Sequence, residues 1–559
     1  MKKDTIHNEN TITTKKYTII YFILIGIIFL FTRLYKIMSI PNGLHIDEIS
    51  IGYNAWSLSQ FGTDRYNISF PVYFNNAGSG QSSLYIYITA LLSKIFGYNI
   101  VMLRLPAVIF GIILLVFLTL TAYEMFGTNS AYITAGIITI MPVFIMGERF
   151  AFDCYAFLPM FAMLLYFSVK LIKTEKPIYA ILSGISISLC LYSYILAFII
   201  IPVFVIIGII YCSIYKKISI TNTIIAAVTS IILSIPIISY IFVVFGIIEP
   251  FTIGKISITD ASFQRTSEFH WQHKSIITLL KNIFEVTDHD NYNFVADEKF
   301  GVFYSNRLFG LSLSQILILI SFIAIIGFCI YKNKQKDFNY ETIILIAAFC
   351  TLLPLLFTEG FAIYRYESFL LMCTLALSYV FNIAIEHNYK VLSAIIGIIF
   401  LFNFGSYCFY IFGNDYDNIN NRITYFDSEL LDVCSSIDIS KYQDYQIYVD
   451  DVSTYNTGLI VLYGLKVPPA IIASDEIKNM DISNMSYNNI HIGIPDYVKD
   501  EKSIYIIKDI NKGSSLYTDV ENPISVYEKL VNDNKIKKSL IQKNAKEELY
   551  NDYYIYYLD

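Results

Sequence analysis

The chain has 559 residues, 55% of them hydrophobic and 16% aromatic, with a mean hydropathy of +0.53. Apolar residues at this density, gathered into long unbroken runs, point to a polytopic membrane protein and argue against a soluble globular one. The formal net charge of −6 argues against a nucleic-acid partner. Of the eight cysteines only Cys434 lies in a polar region, so no disulfide framework is expected.

Residues 1–16 are polar and carry Lys2, Lys3, Lys15 and Lys16, which predicts a cytoplasmic amino terminus. Residues 17–34 are apolar and no small-residue cleavage pattern follows, so the segment is read as a signal anchor. Further apolar stretches near the bilayer-crossing length fall at 101–123, 131–146, 155–171, 178–194, 195–215, 224–248, 311–331, 342–357, 369–385 and 391–412. The expected fold is therefore a polytopic α-helical membrane protein of about eleven transmembrane helices, with the two termini on opposite sides of the plasma membrane. The lysines agree with this count: Lys170, Lys173 and Lys176, then Lys216 and Lys217, then Lys332, Lys334 and Lys336, and finally Lys390 all fall in loops predicted to be inside. The weakest division is between Tyr194 and Ile195, where no polar turn intervenes. Merging those two spans would invert everything downstream, which the lysine pattern opposes.

Three outer regions are long: 35–100, 249–310 and everything after 413. In the first, the apolar run 84–96 is too short to span and is read as a helix lying at the interface. In the last, alternating runs at 446–450, 503–507 and 553–557 read as strands, with polar helical stretches between. The domain organisation expected is a cytoplasmic segment 1–16, a membrane domain 17–412 and a small extracytoplasmic α/β domain 413–559. No internal repeat is visible, which weakens a transporter built on inverted halves.

Charge at the membrane surface is the next signal. Pro41-Asn-Gly-Leu-His-Ile-Asp-Glu-Ile-Ser-Ile-Gly52 places Asp47 and Glu48 between a turn signal and a run of helical character. Neighbours on a helix diverge by roughly 100°, so one acid would serve a site while the other caps or braces. The bland alternative is a pair of solvated carboxylates beside a membrane helix. Arg104, the group Glu148, Arg149 and Asp153, and Arg365 fall on the same predicted side. Arginine forks that neutralise a phosphate, together with carboxylates that accept a proton, suit transfer from a phosphate leaving group. The structural alternatives are interfacial arginines at helix ends and an i,i+4 pair between Arg149 and Asp153. In the second outer loop, His270 and His273 with Asp288 or His289 are a weak candidate set for a divalent metal, the spacing being generic. A lid rich in aromatics is the preferred reading of that loop, and no cofactor is otherwise called for.

Arg33-Leu-Tyr-Lys36, Pro41-Asn-Gly-Leu-His-Ile-Asp-Glu48, Leu84-Tyr-Ile-Tyr87, Phe96-Gly97, Arg104-Leu-Pro106 and Arg149 with Asp153 resemble the amino-terminal half of bacterial family-39-type glycosyltransferases. These belong to the C-type superfold, with the protein O-mannosyltransferases and the lipid A aminoarabinose transferase. Tyr292-Asn293 to Gly310 and Arg365-Tyr366 resemble the downstream motifs, so the likeness runs to about residue 412. It implies inverting transfer of a sugar from a polyprenyl-phosphate carrier to an envelope acceptor (lipid, protein or glycan) on the outer face. On this resemblance Asp47 is the general base, Glu48 its neighbour in the acidic pair, and Asp153 the second site carboxylate. Arg365 would bind the carrier phosphate, with Arg104 and Arg149 as further phosphate ligands, and His45, Gln81, Tyr85 and Tyr366 would contact substrate. One departure stands out: relatives often carry a lysine just before the interfacial helix, where Gly80-Gln-Ser-Ser-Leu84 has Gln81. The competing readings are a transporter or flippase of a lipid-linked glycan and a relative that binds a lipid-linked sugar without turnover. A conduit would need ionisable groups near the bilayer midplane, whereas these cluster to one side.

Overall fold

The computed structural model describes residues 2–41, 43–76, 79–259, 307–308, 311–333, 337–356, 363–413, 428–450, 457–469, 486–509, 523–550 and 552–559. Each apolar stretch marked in the sequence coincides with helix: α1 (Lys2–Leu34), α4 (Ile100–Phe126), α5 (Thr128–Ile140) with α6 (Pro142–Gly147), α7 (Phe157–Thr174), α8 (Pro177–Ser193), α9 (Ala197–Ile214), α10 (Ile220–Val244), α11 (Leu313–Asn333), α12 (Tyr340–Leu352), α13 (Ile363–Glu386) and α14 (Lys390–Phe412). Among the described residues, seven helices are long and apolar enough to cross a membrane. Isoleucine, leucine and phenylalanine side chains stand exposed along α1, α9, α10 and α14, among them Ile23, Ile206, Ile231 and Phe402. Such a surface suits hydrocarbon, where every backbone group is satisfied within the helix.

Two breaks in this bundle have local causes. Pro142 has no N–H to continue α5 and biases Met141 to extended backbone (φ −72°, ψ 127°), so the chain restarts as α6 with proline at its head. The division at Tyr194 is also a break: Tyr194 is extended (φ −158°, ψ 142°), ending α8 at Ser193 before α9 begins at Ala197.

The lysine-bearing loops gather at one end. Lys173 lies over the Tyr340 ring at 5.8 Å, Lys217 over Phe338 at 5.4 Å, and Asn222 Nδ2 donates to Glu175 O at 2.8 Å. The three long predicted outer regions meet at the other end. The hairpin β3 (Phe251–Ile253) and β4 (Ile256–Ile258) joins the first outer region where Val72 N–H donates to Ser257 O at 3.1 Å. The first region also contains α2 (Ile46–Phe61), the hairpin β1 (Tyr73–Asn76) and β2 (Ser79–Ser82), and α3 (Ser83–Phe96), the short helix anticipated at the interface. In α3, Tyr85, Ile86, Thr89 and Ala90 are buried while Leu91, Ile95 and Phe96 are exposed.

A two-residue pair, β5 (Arg307–Leu308) and β6 (Leu311–Ser312), leads into α11. The carboxy-terminal region holds a six-stranded mixed sheet in the order β11-β12-β10-β7-β9-β8, from β7 (Gln446–Val449), β8 (Ser486–Tyr487), β9 (Ile490–Ile492), β10 (Ser503–Lys508), β11 (Lys546–Tyr550) and β12 (Tyr553–Leu558). β7 runs parallel to both β9 and β10, and the other pairings are antiparallel. Its helices are α15 (Ser428–Ser436), α16 (Thr457–Gly464) and α17 (Pro523–Gln542). Ile536 and Leu540 of α17 pack on Tyr448 and Tyr505 of the sheet. α16 packs against α2, where Tyr53 Oη donates to Val467 O just past α16, and against the turn after α3, where the Tyr463 and Tyr98 rings meet edge to face at 5.5 Å. The carboxy-terminal region is thereby seated on the helix that carries the acidic pair.

Candidate active site

The site grows from the start of α2. His45 is its N-cap in extended backbone (φ −62°, ψ 155°); its Nδ1 accepts from Asp47 N–H at 3.1 Å, and its own N–H donates to Glu48 Oε2 at 3.1 Å. This reciprocal capping box fixes how the two acids diverge. Glu48 turns inward and is fully buried, accepting also from Ala151 N–H at 3.0 Å. Asp47 turns the other way and its side chain keeps 35% of its exposure. Because Nδ1 accepts a hydrogen bond, His45 is held neutral; burial pushes its pKa below the usual histidine value, opposed by the charges of Asp47 and Glu48. Its ring also packs edge to face on Phe152 at 4.9 Å.

Arginines expected at a phosphate are used for construction. Arg104 is fully buried on α4, with five bonds from its guanidinium. They run from Nε to Glu48 Oε1 (2.9 Å), from Nη1 to Ile37 O (2.9 Å) and Pro41 O (2.8 Å), and from Nη2 to Gly43 O (2.6 Å) and Glu48 Oε2 (3.1 Å). Those five bonds match the five N–H donors of the fork. Arg149, also fully buried, donates to Thr32 O (2.6 Å), Tyr35 O (2.7 Å) and Ile40 O (3.1 and 2.9 Å). Its bonds therefore run to the chain leaving α1 rather than to Asp153 four residues on. Arg33 completes the set, pairing with Glu148 at 2.7 Å and donating to Ile138 O and Thr139 O. In this geometry Arg104 and Arg149 clamp backbone and Glu48, and neither presents its fork to a ligand.

Asp153 opens a 3-10 turn (Asp153–Ala156) ahead of α7, and its Oδ2 accepts from Ser82 N–H at 2.8 Å. Next to Ser82 on β2, Gln81 Nε2 donates to Asp47 O at 3.4 Å while its Oε1 accepts from Ser50 Oγ at 3.1 Å. Consecutive residues of one strand thus tie Asp47 and Asp153 to a common edge. Gln81 is buried and acts as a brace between β2 and α2 rather than as an exposed contact. Tyr85 is likewise interior: its Oη donates to Leu103 O (3.1 Å) and accepts from Ala107 N–H (3.2 Å), bridging the pair that would close on each other in a regular helix around Pro106. Arg365 is half-buried in the first turn of α13, where a helix amino terminus favours an anion. Tyr366 beside it is buried, as is Glu367, which lies with Glu148 and Tyr155 around a small cavity. His270, His273, Asp288 and His289, and the motif from Tyr292 to Gly310, fall almost wholly outside the described residues. Among the described residues no group of three His, Cys, Asp or Glu could hold a metal ion.

Sequence reasoning passed over two residues near Asp47, one bonded to it and the other bonded to that first residue. Asn76, at the end of β1, donates from Nδ2 to Asp47 Oδ1 at 2.8 Å. Arg65, buried in the loop after α2, donates to Ser50 Oγ (3.1 Å), Asn75 O (3.0 Å) and Asn76 Oδ1 (3.4 Å). An arginine in the first predicted outer region, next to Asp64, was the available signal.

Residues 81–241, less than half of the chain, match the dolichyl-phosphate-mannose-protein mannosyltransferase family. That stretch takes in Arg104, Arg149 and Asp153; Asp47 precedes it. In structure, the chain is similar to ArnT from Cupriavidus metallidurans bound to undecaprenyl phosphate, with a TM-score of 0.57 at 8% identity, covering 97% of this chain and 98% of that one. The chain has the fold of ArnT. The apo form of the same ArnT gives a TM-score of 0.54 at 8% identity, covering 98% of each chain. The Archaeoglobus fulgidus oligosaccharyltransferase, solved with zinc and sulfate, gives 0.52 at 13% identity, covering 89% of this chain and 69% of that one. No curated protein matches the chain in sequence.

Proposed function

We propose that the enzyme moves a sugar from a polyprenyl-phosphate carrier to an envelope acceptor on the outer face of the plasma membrane, with inversion and with Asp47 as general base. The observation that carries this reading is the separation of the acidic pair. Glu48 is sequestered by Arg104, while Asp47 keeps an accessible carboxylate on the same strand edge as Asp153. In a single displacement, Asp47 takes the proton from the acceptor heteroatom as that atom bonds to the anomeric carbon. The carbon–oxygen bond to phosphate breaks with its electrons going to the leaving group. A positioned base contributes about 10²- to 10⁴-fold, and Arg365 at the start of α13 is the cation assigned to the departing phosphate. Similarity to an ArnT solved with undecaprenyl phosphate supports the carrier class. The lysine loops at the far end of the bundle support an outward-facing site.

The test is sugar transfer from labelled polyprenyl-phosphate sugars in membranes holding the wild type or Asp47→Asn. Turnover in the wild type, lost in Asp47→Asn while carrier binding persists, is the expected result. Undiminished transfer by Asp47→Asn would remove the base from Asp47.

A further inference from the structure

Arg65 heads two hydrogen-bond chains that both end on Asp47. In the first, Arg65 Nη2 donates to Asn76 Oδ1 (3.4 Å) and Asn76 Nδ2 donates to Asp47 Oδ1 (2.8 Å). In the second, Arg65 Nη1 donates to Ser50 Oγ (3.1 Å), Ser50 Oγ–H to Gln81 Oε1 (3.1 Å), and Gln81 Nε2 to Asp47 O (3.4 Å). The chemistry of the end groups sets the direction of both chains. A guanidinium only donates, and the Asp47 carboxylate and carbonyl only accept, so Arg65 must face the oxygen end of each relay and leave an amide NH2 for Asp47. Arg65, Ser50, Asn76 and Gln81 are all buried, and solvent does not compete for these groups. Neither Asn76 nor Gln81 could deliver a donor to Asp47 reliably on its own, because an amide turned over by 180° would present its oxygen to the carboxylate at Asn76 and to the carbonyl at Gln81.

We infer that Arg65 is a positioning residue that orients the Asn76 and Gln81 amides so that both donate to Asp47, fixing the carboxylate and its backbone for proton abstraction. This rests on Asp47 being the base. It also gives Gln81 a part in this enzyme that a lysine would not play: a lysine has no acceptor for Ser50. The arrangement resembles no charge relay, since the proton stays at Asp47; Arg65 acts on orientation and on the local field.

The test is a mutant cycle on kcat, with KM for the carrier-linked sugar measured in parallel. Arg65→Met keeps length and removes every donor. It is expected to lower kcat about 10- to 100-fold, the span of a hydrogen bond to a charged group, with KM unchanged. In an Asn76→Ala, Gln81→Leu background, where both relays are gone, the same change should cost under about threefold, because coupled residues are non-additive. If Arg65→Met is not recovered folded, Arg65→Lys serves: its single ammonium cannot hold both relays, and its loss should again be smaller in the Asn76→Ala background. Equal losses in both backgrounds, or a loss confined to KM, would overturn the positioning role. Failure of the reading beneath it looks different: Asp47→Asn would then retain transfer whatever the cycle gives.

Discussion

Arg104 separates two accounts of the same arginine, as a phosphate ligand or as part of the frame. In the structure all of its bonds go to Glu48 and to the carbonyls of Ile37, Pro41 and Gly43. Arg104→Met would leave Glu48 charged, buried and held only by the His45 and Ala151 N–H groups, with three carbonyls stripped of their donor. Removing one partner of a buried ion pair costs about 3–5 kcal/mol, which lowers the folded-to-unfolded ratio by a factor between about 10² and 10⁴. The expected result is a large loss of heat-resistant monodisperse protein after solubilisation, measured by size exclusion across a temperature series. Arg104→Lys should recover only part, because one ammonium cannot reproduce the fork. Replacing both Arg104 and Glu48 by methionine should cost less than the two single losses added together. An Arg104→Met protein that withstands heating like the wild type but binds the carrier weakly would refute this reasoning and return Arg104 to the phosphate.

Three further outcomes follow from the same geometry. Asp153→Asn retains an oxygen for Ser82 N–H, so it should keep the fold while lowering kcat; a variant indistinguishable from wild type in turnover would take Asp153 out of the site. His45 has a pKa below its ordinary value of about 6.5 in the folded state, so between the two values the unfolded chain binds the proton that the fold refuses. Stability therefore falls as pH drops below about 6.5, and above it the group is neutral in both states and contributes no pH dependence. His45→Asn, a cap that does not titrate, should narrow the difference in thermal midpoint between pH 7.5 and 5.5; an unchanged difference would exclude His45 as its source. At Gly52 a Cβ would come within 2.8 Å of Tyr98 Oη and 2.9 Å of the Tyr463 ring. Gly52→Ala should cost about 1–3 kcal/mol by overpacking and speed proteolytic release of the carboxy-terminal region, whereas wild-type release would show that α16 does not bear on α2.

What the chain revealed in advance depended on whether the signal was local. Apolar length marked every helix of the bundle, and the lysines placed the loops that the structure gathers at one end. Even the break at Tyr194 could be argued from charge alone. The acidic pair was also legible in principle: adjacent residues on a helix diverge, and His45 with Glu48 three residues on has the spacing of a capping box. The partners of the arginines were not legible. Arg104 and Arg149 bind mostly backbone carbonyls, which any sequence supplies, so residue type could not distinguish a clamp from a phosphate ligand. The relay to Asp47 was hidden for a related reason. It joins α2, the loop after it and a hairpin through neutral amides, which carry no charge pattern to find, and only the pairing of Tyr73 with Ser82 and Phe74 with Gln81 brings Asn76 and Gln81 to one edge.

The seating of the carboxy-terminal region is the longest-range case, with Tyr53 and Val467 separated by 414 positions in sequence. Its consequence is mechanical. The amino-terminal turn of α2 is held by the His45 cap and the Arg104 clamp, its Gly52 face by Tyr463 and its Tyr53 hydroxyl by Val467, while Asn76 and Gln81 hold the Asp47 side itself. Each support comes from a different part of the chain, so the membrane helices, the first outer region and the carboxy-terminal region all hold the helix that carries Asp47. A general base, the role proposed for Asp47, is effective when its geometry is set before substrate arrives, and this helix obtains its geometry from tertiary contacts rather than from its own short sequence.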